Sequence, residues 1–159
     1  MNVCYNVRMD ISVTVAVIRI LGAALIGGLL GIQRESVGKA AGIRTYALVA
    51  LGSCLFTIIS TIGFASGVYD PSRVASQVVV GIGFLGAGLI LHHGTKIEGL
   101  TTAAGLWAAA GVGMAIGAGL WTIATITAIL VALFFMLRED HVLGFLRRWR
   151  GEKSDTIDK

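Results

Sequence analysis

Apolar residues fill four long stretches of the chain. Residues 11–32 contain one charge, Arg19, and residues 45–68, 74–91 and 100–137 contain none. The first three stretches are each close to the ~20 residues that cross a bilayer as a helix, and the fourth is roughly twice that length. Dividing the fourth at the "GAG" of residues 117–119 predicts five transmembrane helices, at about 13–32, 45–66, 74–92, 101–117 and 119–137. The expected fold is an all-α bundle of residues 1–137 dissolved in lipid. A short basic tail, residues 138–159, would follow on the cytoplasmic side. Its Val142, Leu146 and Trp149 share a helical face beside three arginines, which suits either an interfacial helix on an anionic leaflet or a solvated tail. A cleaved signal peptide is not expected at the start, because the first apolar run continues to Ile32.

Composition strengthens this picture. The chain has 159 residues, 55% of them hydrophobic and 14% charged, with a mean hydropathy of +0.82, far beyond an ordinary soluble domain. Charge then sets direction. With five spans, Arg34, Lys39, Arg44, Lys96 and the basic residues of the tail fall on one side, against Arg8 and Arg73 on the other. Short cytoplasmic loops collect Lys and Arg, so the N-terminus is expected outside and the C-terminus inside, in a multi-pass membrane protein. The positive balance therefore points to lipid and topology, not to nucleic acid. Cys4 and Cys54 are too few for a disulfide framework.

Glycine is the next signal, at 22 residues. "VVVGIGFLGAGLI" contains Gly81, Gly83 and Gly86 in the spacing of a dinucleotide-binding fingerprint, but that fingerprint needs a soluble βαβ unit and an acid for the ribose, and both are missing from this run. In lipid, small residues four apart let helix backbones meet. Ala23, Gly27 and Gly31 form one such ridge; Gly105, Ala109, Gly113 and Gly117 form another, able to serve packing within the chain or a homodimer; Gly83 and Ala87 form a shorter third. The alternative for "GIGFLGAG", Gly81 to Gly88, is a helix break that exposes carbonyls to a substrate path.

Polar groups at membrane depth are few. Arg19 shares a face with Ala23, Gly27 and Gly31, so it points into the bundle; a clamp with Asp70 near the outer surface and a snorkelling orientation are both open. Asp70 and the sole proline, Pro71, suit the start of the third helix, and Thr101 or Thr102 suits the cap of the fourth. The loop "GIQRESVGKAAGIRT" collects Arg34, Glu35, Lys39 and Arg44, which serve topology or meet lipid phosphates or an acidic partner. His92 and His93 are placed at the inner end of the third helix as interfacial groups, with a pH sensor or metal contact as the lesser reading. The spans contain no Asp or Glu, so no confident metal site, catalytic group or cofactor site emerges; Mg²⁺, which favours carboxylate ligands, enters only as an ion transported or sensed.

The segments "RILGAALIGGLLGIQRE", "AGIRTYALVALGS", "DPSRVASQVVVGIGFLGAGLI" and "GLTTAAGLWAAAGVGMAIGAG", in this order, resemble the MgtC/SapB family of bacterial inner-membrane proteins. The resemblance implies a small multi-helix protein linked to magnesium limitation, virulence and, in some members, restraint of the F-type ATP synthase. It carries the family's membrane arginine onto Arg19, its loop arginines onto Arg34 and Arg44, its aspartate onto Asp70, and its glycines onto Gly81, Gly83, Gly86 and Gly88. One position departs: Gln33 stands where the family usually has Glu, so a role that needs this negative charge would fall to Glu35. Longer relatives carry an ACT-like C-terminal domain, for which this sequence has no room. Two functions follow as expectations: binding and modulation of another membrane complex, or transport of Mg²⁺ or a small solute along the Gly-rich third helix. No nucleophile, base and orienter occur together, so an enzyme is not expected.

Overall fold

The computed structural model describes residues 11–62, 70, 72–93 and 96–137. It is helical: α1 (Val13–Ser36), α2 (Ile43–Ile62), α3 (Ser72–Ala87), α4 (Leu100–Gly117) and α5 (Trp121–Met136), with a small antiparallel hairpin, β1 (Leu91–His93) and β2 (Lys96–Glu98), between α3 and α4. α1, α2 and α4 are long and apolar enough to cross a bilayer; α3 and α5, at 16 residues each, are apolar but shorter. Large apolar side chains point outward from every helix, Phe84, Trp107 and Phe134 among them, as expected where the surroundings are hydrocarbon.

Local chemistry sets the boundaries. Ser12 caps α1, its hydroxyl accepting from the Val15 N–H. α1 and α4 stop in the same way. The Lys39 N–H bonds back to the Arg34 carbonyl and the Gly38 N–H to Glu35; at α4, Leu120 bonds back to Ala115 and Gly119 to Ile116. This double closure requires a left-handed residue, supplied by Gly38 at φ +66 and Gly119 at φ +84. The "GAG" division between the last two helices is thus a real chain stop.

Two helix ends differ from the sequence reading. α3 ends at Ala87, not near residue 92, and the apolar run continues as β1, with His92 opposite Ile97. Hydropathy does not change at that turn, so it could not mark the end. Thr101 and Thr102 do not cap α4; its N-cap is Gly99, with no side-chain hydrogen bond. The tail, with Val142, Leu146 and Trp149, lies outside the described residues, as do Cys4 and Pro71.

α4 is the centre, touching each of the other four helices. Contacts across the bundle give alternating directions: Gly27 and Gly31 of α1 lie against Tyr46, Ala50 and Ile43 of α2, while Gly113 and Gly117 of α4 lie against Ala50 and Cys54 of α2. α1 is therefore antiparallel to α2 and to α4. Both long small-residue ridges are buried, and both pack within the chain. A Cβ at Gly27 would sit 2.6 Å from the Tyr46 carbonyl oxygen, and one at Gly117 2.7 Å from that of Cys54, so the backbones meet directly. The third ridge is not a seam. α3 runs unbroken through Gly81 and Gly83, and a Cβ on either would meet nothing within 4 Å; Gly83 and Ala87 are exposed. Of the three glycines of this helix only Gly86 packs; a Cβ there would lie 3.6 Å from the Ala103 methyl.

Candidate functional site

The polar chemistry of the bundle lies where α1 meets α4, at two points. Arg34, in the last turn of α1, is 5% exposed. Its Nη2 donates to Thr102 Oγ1 at 2.9 Å, and its guanidinium carbon lies 4.6 Å from the centroid of the Phe135 ring. Tyr46 completes the enclosure: its ring meets Phe135 edge-on at 6.1 Å, and its hydroxyl donates to the Thr102 carbonyl at 3.3 Å. Beside them Gln33 Nε2 donates to the Phe135 carbonyl at 2.9 Å. Glu35 faces the other way and accepts from the Ile43 N–H at 2.8 Å, joining the end of α1 to the start of α2.

The second point is Arg19. Its Nη1 donates to the Gly117 carbonyl at 2.7 Å, and the guanidinium lies against Gly119. The last carbonyls of a helix carry partial negative charge, so this cation caps α4 electrostatically. The clamp with Asp70 is not formed. Asp70 is exposed and accepts from the Ser72 N–H at 2.9 Å, capping α3 as expected. Hydrogen bonds from Ser72 hold its carboxyl below the usual carboxylate range.

Arg19 and Arg34 are fifteen residues apart on α1, and their partners Thr102 and Gly117 are fifteen apart on α4. At 1.5 Å per residue both pairs span about 22 Å. The arginines thus pin the two ends of one antiparallel contact, with the ridges Ala23, Gly27, Gly31 and Gly105, Ala109, Gly113 between them.

Among the described residues neither arginine has a carboxylate partner. Arg19 Nε, Arg34 Nε and Gln33 Oε1 are buried with no hydrogen bond. A buried cation held by a hydroxyl, a carbonyl and an aromatic face is stabilised without a counter-ion, though incompletely. Groups of three His, Cys, Asp or Glu suited to a metal are absent among the described residues.

Of the residues singled out from the sequence, Arg19, Arg34 and Thr102 come together with the α1–α4 contact. Arg34 was expected in a loop and is instead buried in a helix. Arg44 and Thr101 are exposed at the starts of α2 and α4, Gly81 and Gly83 face open space, and Gly88, just past the end of α3, donates its N–H to the Phe84 carbonyl at 3.2 Å. Tyr46 and Phe135 were missed as the surroundings of Arg34, and Phe135 as the partner of the Gln33 amide. A lone aromatic on an apolar helix gives no sign of what it will meet 89 positions away.

The sequence profile of the MgtC family matches residues 20–142. The chain belongs to the MgtC family. Similar MgtC-family sequences include "Protein MgtC" of Brucella abortus strain 2308, 46% identical over 137 residues, which is 85% of this chain and 57% of that protein. "Putative magnesium transporter YhiD" of Escherichia coli K12 is 47% identical over 102 residues, 60% of this chain and 47% of that protein. "Protein MgtC" of Salmonella typhimurium strain 14028s is 44% identical over 96 residues, 60% of this chain and 40% of that protein. The chain spans about half the length of the curated relatives it matches. No solved structure matches it. The family match begins one residue after Arg19 and takes in Arg34, Thr102 and Phe135.

Proposed function

We propose that this MgtC-family chain is a five-span protein of the bacterial inner membrane, N-terminus outside, that acts during magnesium limitation by binding and modulating another membrane complex, such as the F-type ATP synthase. It is not an enzyme on this reading. The observation that supports it most is the character of the α1–α4 contact. Its polar groups are two arginines and their neutral partners, joined by backbone-close glycines, and it offers a divalent cation repulsion at both ends. At 10 Å and an effective dielectric near 20, each arginine would raise the energy of a doubly charged ion by about 3 kcal/mol. The apolar outer faces of α3 and α5 remain free for a partner.

A second reading, transport of Mg²⁺ or another small solute, draws on the name of the Escherichia coli relative and on the open glycines of α3. Purified protein in liposomes under a set potential separates the two. The binding reading expects Mg²⁺ flux equal to that of empty liposomes, together with specific cross-links to one larger membrane complex in cells. Flux well above background that is lost on Gly83→Phe would overturn it in favour of transport.

A further inference from the structure

α2 and α3 do not close against each other along their length. Between them runs a groove of about 520 Å³, bounded on α2 by Leu48, Gly52, Ser53 and Phe56 and on α3 by residues from Val74 to Leu85. Its width comes from missing side chains: a Cβ at Gly52 or at Gly81 would meet nothing within 4 Å. Two polar side chains interrupt the apolar walls, Ser53 and Gln77, and neither has a hydrogen-bond partner for its side chain among the described residues. One turn before Gln77 on the same face of α3 is Arg73, exposed and without an ion pair among the described residues. The nearby Asp70 carboxylate caps the helix and feels the Arg73 charge without pairing directly with it.

We propose that this groove binds one anionic phospholipid, its acyl chain lying along α3 past Gly81 to Leu85, its ester region at Gln77 and Ser53, and its phosphate at Arg73. The dimensions accommodate a chain. From Val74 to Leu85 the groove is about 16 Å long at 1.5 Å per residue, so its mean cross-section is about 30 Å². An extended hydrocarbon chain, set by carbon contacts of 3.5–4.0 Å, needs about 15–20 Å². The chemistry fits the same occupant. Amide and hydroxyl groups facing hydrocarbon need a partner, which lipid esters supply and bare acyl chains do not. A cation at the end of an apolar track selects a negative headgroup, by about 1 kcal/mol for one arginine near the membrane surface. This inference does not require that the chain bind a complex.

Native mass spectrometry of the full chain in a non-ionic detergent, titrated with dioleoyl phosphatidylglycerol or dioleoyl phosphatidylcholine, tests it. Wild type should retain one phosphatidylglycerol per chain and prefer it about fivefold over phosphatidylcholine, the ratio expected from one headgroup arginine. G81F, whose Cβ would meet nothing within 4 Å, puts its ring into the groove and should lower retention of both lipids at least fivefold. G111F, on an exposed site of α4 with equally open surroundings, should leave retention unchanged. R73Q, which leaves the groove wall intact, should bind both lipids alike. Retention by G81F equal to wild type, a preference surviving in R73Q, or a G81C disulfide to a second copy in membranes would each overturn the assignment.

Discussion

Two glycines of α4, two positions apart, should respond in opposite directions to the same added methyl group. A Cβ on Gly113 would stand 2.8 Å from the Ala50 carbonyl carbon and 2.9 Å from its Cα, whereas one on Gly111 would meet nothing within 4 Å. Carbon atoms in contact rest at 3.5–4.0 Å, so Gly113→Ala forces α2 away by roughly 1 Å. That displacement opens the contacts of α2 with both α1 and α4, where overpacking of this kind costs about 1–3 kcal/mol. Gly111→Ala carries no such penalty and gains the helix propensity of alanine, about 0.5–1 kcal/mol. For a chain of this size 1 kcal/mol moves the melting temperature by about 2–4 °C. Thermal unfolding in detergent, followed by the loss of the monodisperse peak on heating, should place Gly113→Ala about 2–12 °C below wild type and Gly111→Ala at or slightly above it. Equal shifts, or a loss for both, would refute direct backbone contact between α2 and α4. The control matters because both variants have the same composition and lie on the same helix.

Other outcomes follow from the pins and caps. Thr102→Val removes the hydroxyl that Arg34 uses and should destabilise by about 1.5–3 kcal/mol, the range for hydrogen bonds to charged groups, whereas Arg34→Met, which also removes the buried charge, should cost less; a double-mutant cycle checks the coupling. Charge reversal at Asp70 should not rescue Arg19→Glu, because Arg19 serves the Gly117 carbonyl; restored melting temperature in the double variant would contradict this geometry. The Asp70 cap contributes stability above the ordinary carboxylate pKa of about 3.9 and loses it as pH falls through the lowered native value, so amide exchange at the start of α3 should quicken in acid. Asp70→Asn keeps a capping side chain and should abolish that pH dependence.

The helices were legible because hydropathy and charge-free length carry them, and the two long ridges were legible because small residues four apart in lipid have few other uses. What sequence could not reveal depended on distant partners. Arg34 read as a loop residue since an arginine ending an apolar run usually meets water; only the arrival of Thr102, Tyr46 and Phe135 makes it a buried group. The same lack of long-range information made Gly83 and Ala87 resemble a seam, although the spacing states only that a neighbour could come close, not that one does. At residues 87–91 the apolar pattern runs unchanged past the end of α3 into β1, and the glycines of "GAG", residues 86–88, are the local sign of that turn.

The equal spacing of the arginines on α1 and of their partners on α4 works as a gauge. Slide α4 by one turn, and both cations lose their partners in the same step; neither can be kept at the expense of the other. An inserted residue between positions 19 and 34 would turn one arginine by about 100° toward lipid while leaving the other in place. The length of that stretch is therefore as constrained as its composition, and tolerated insertions should fall in the connections between helices, where no such measure applies.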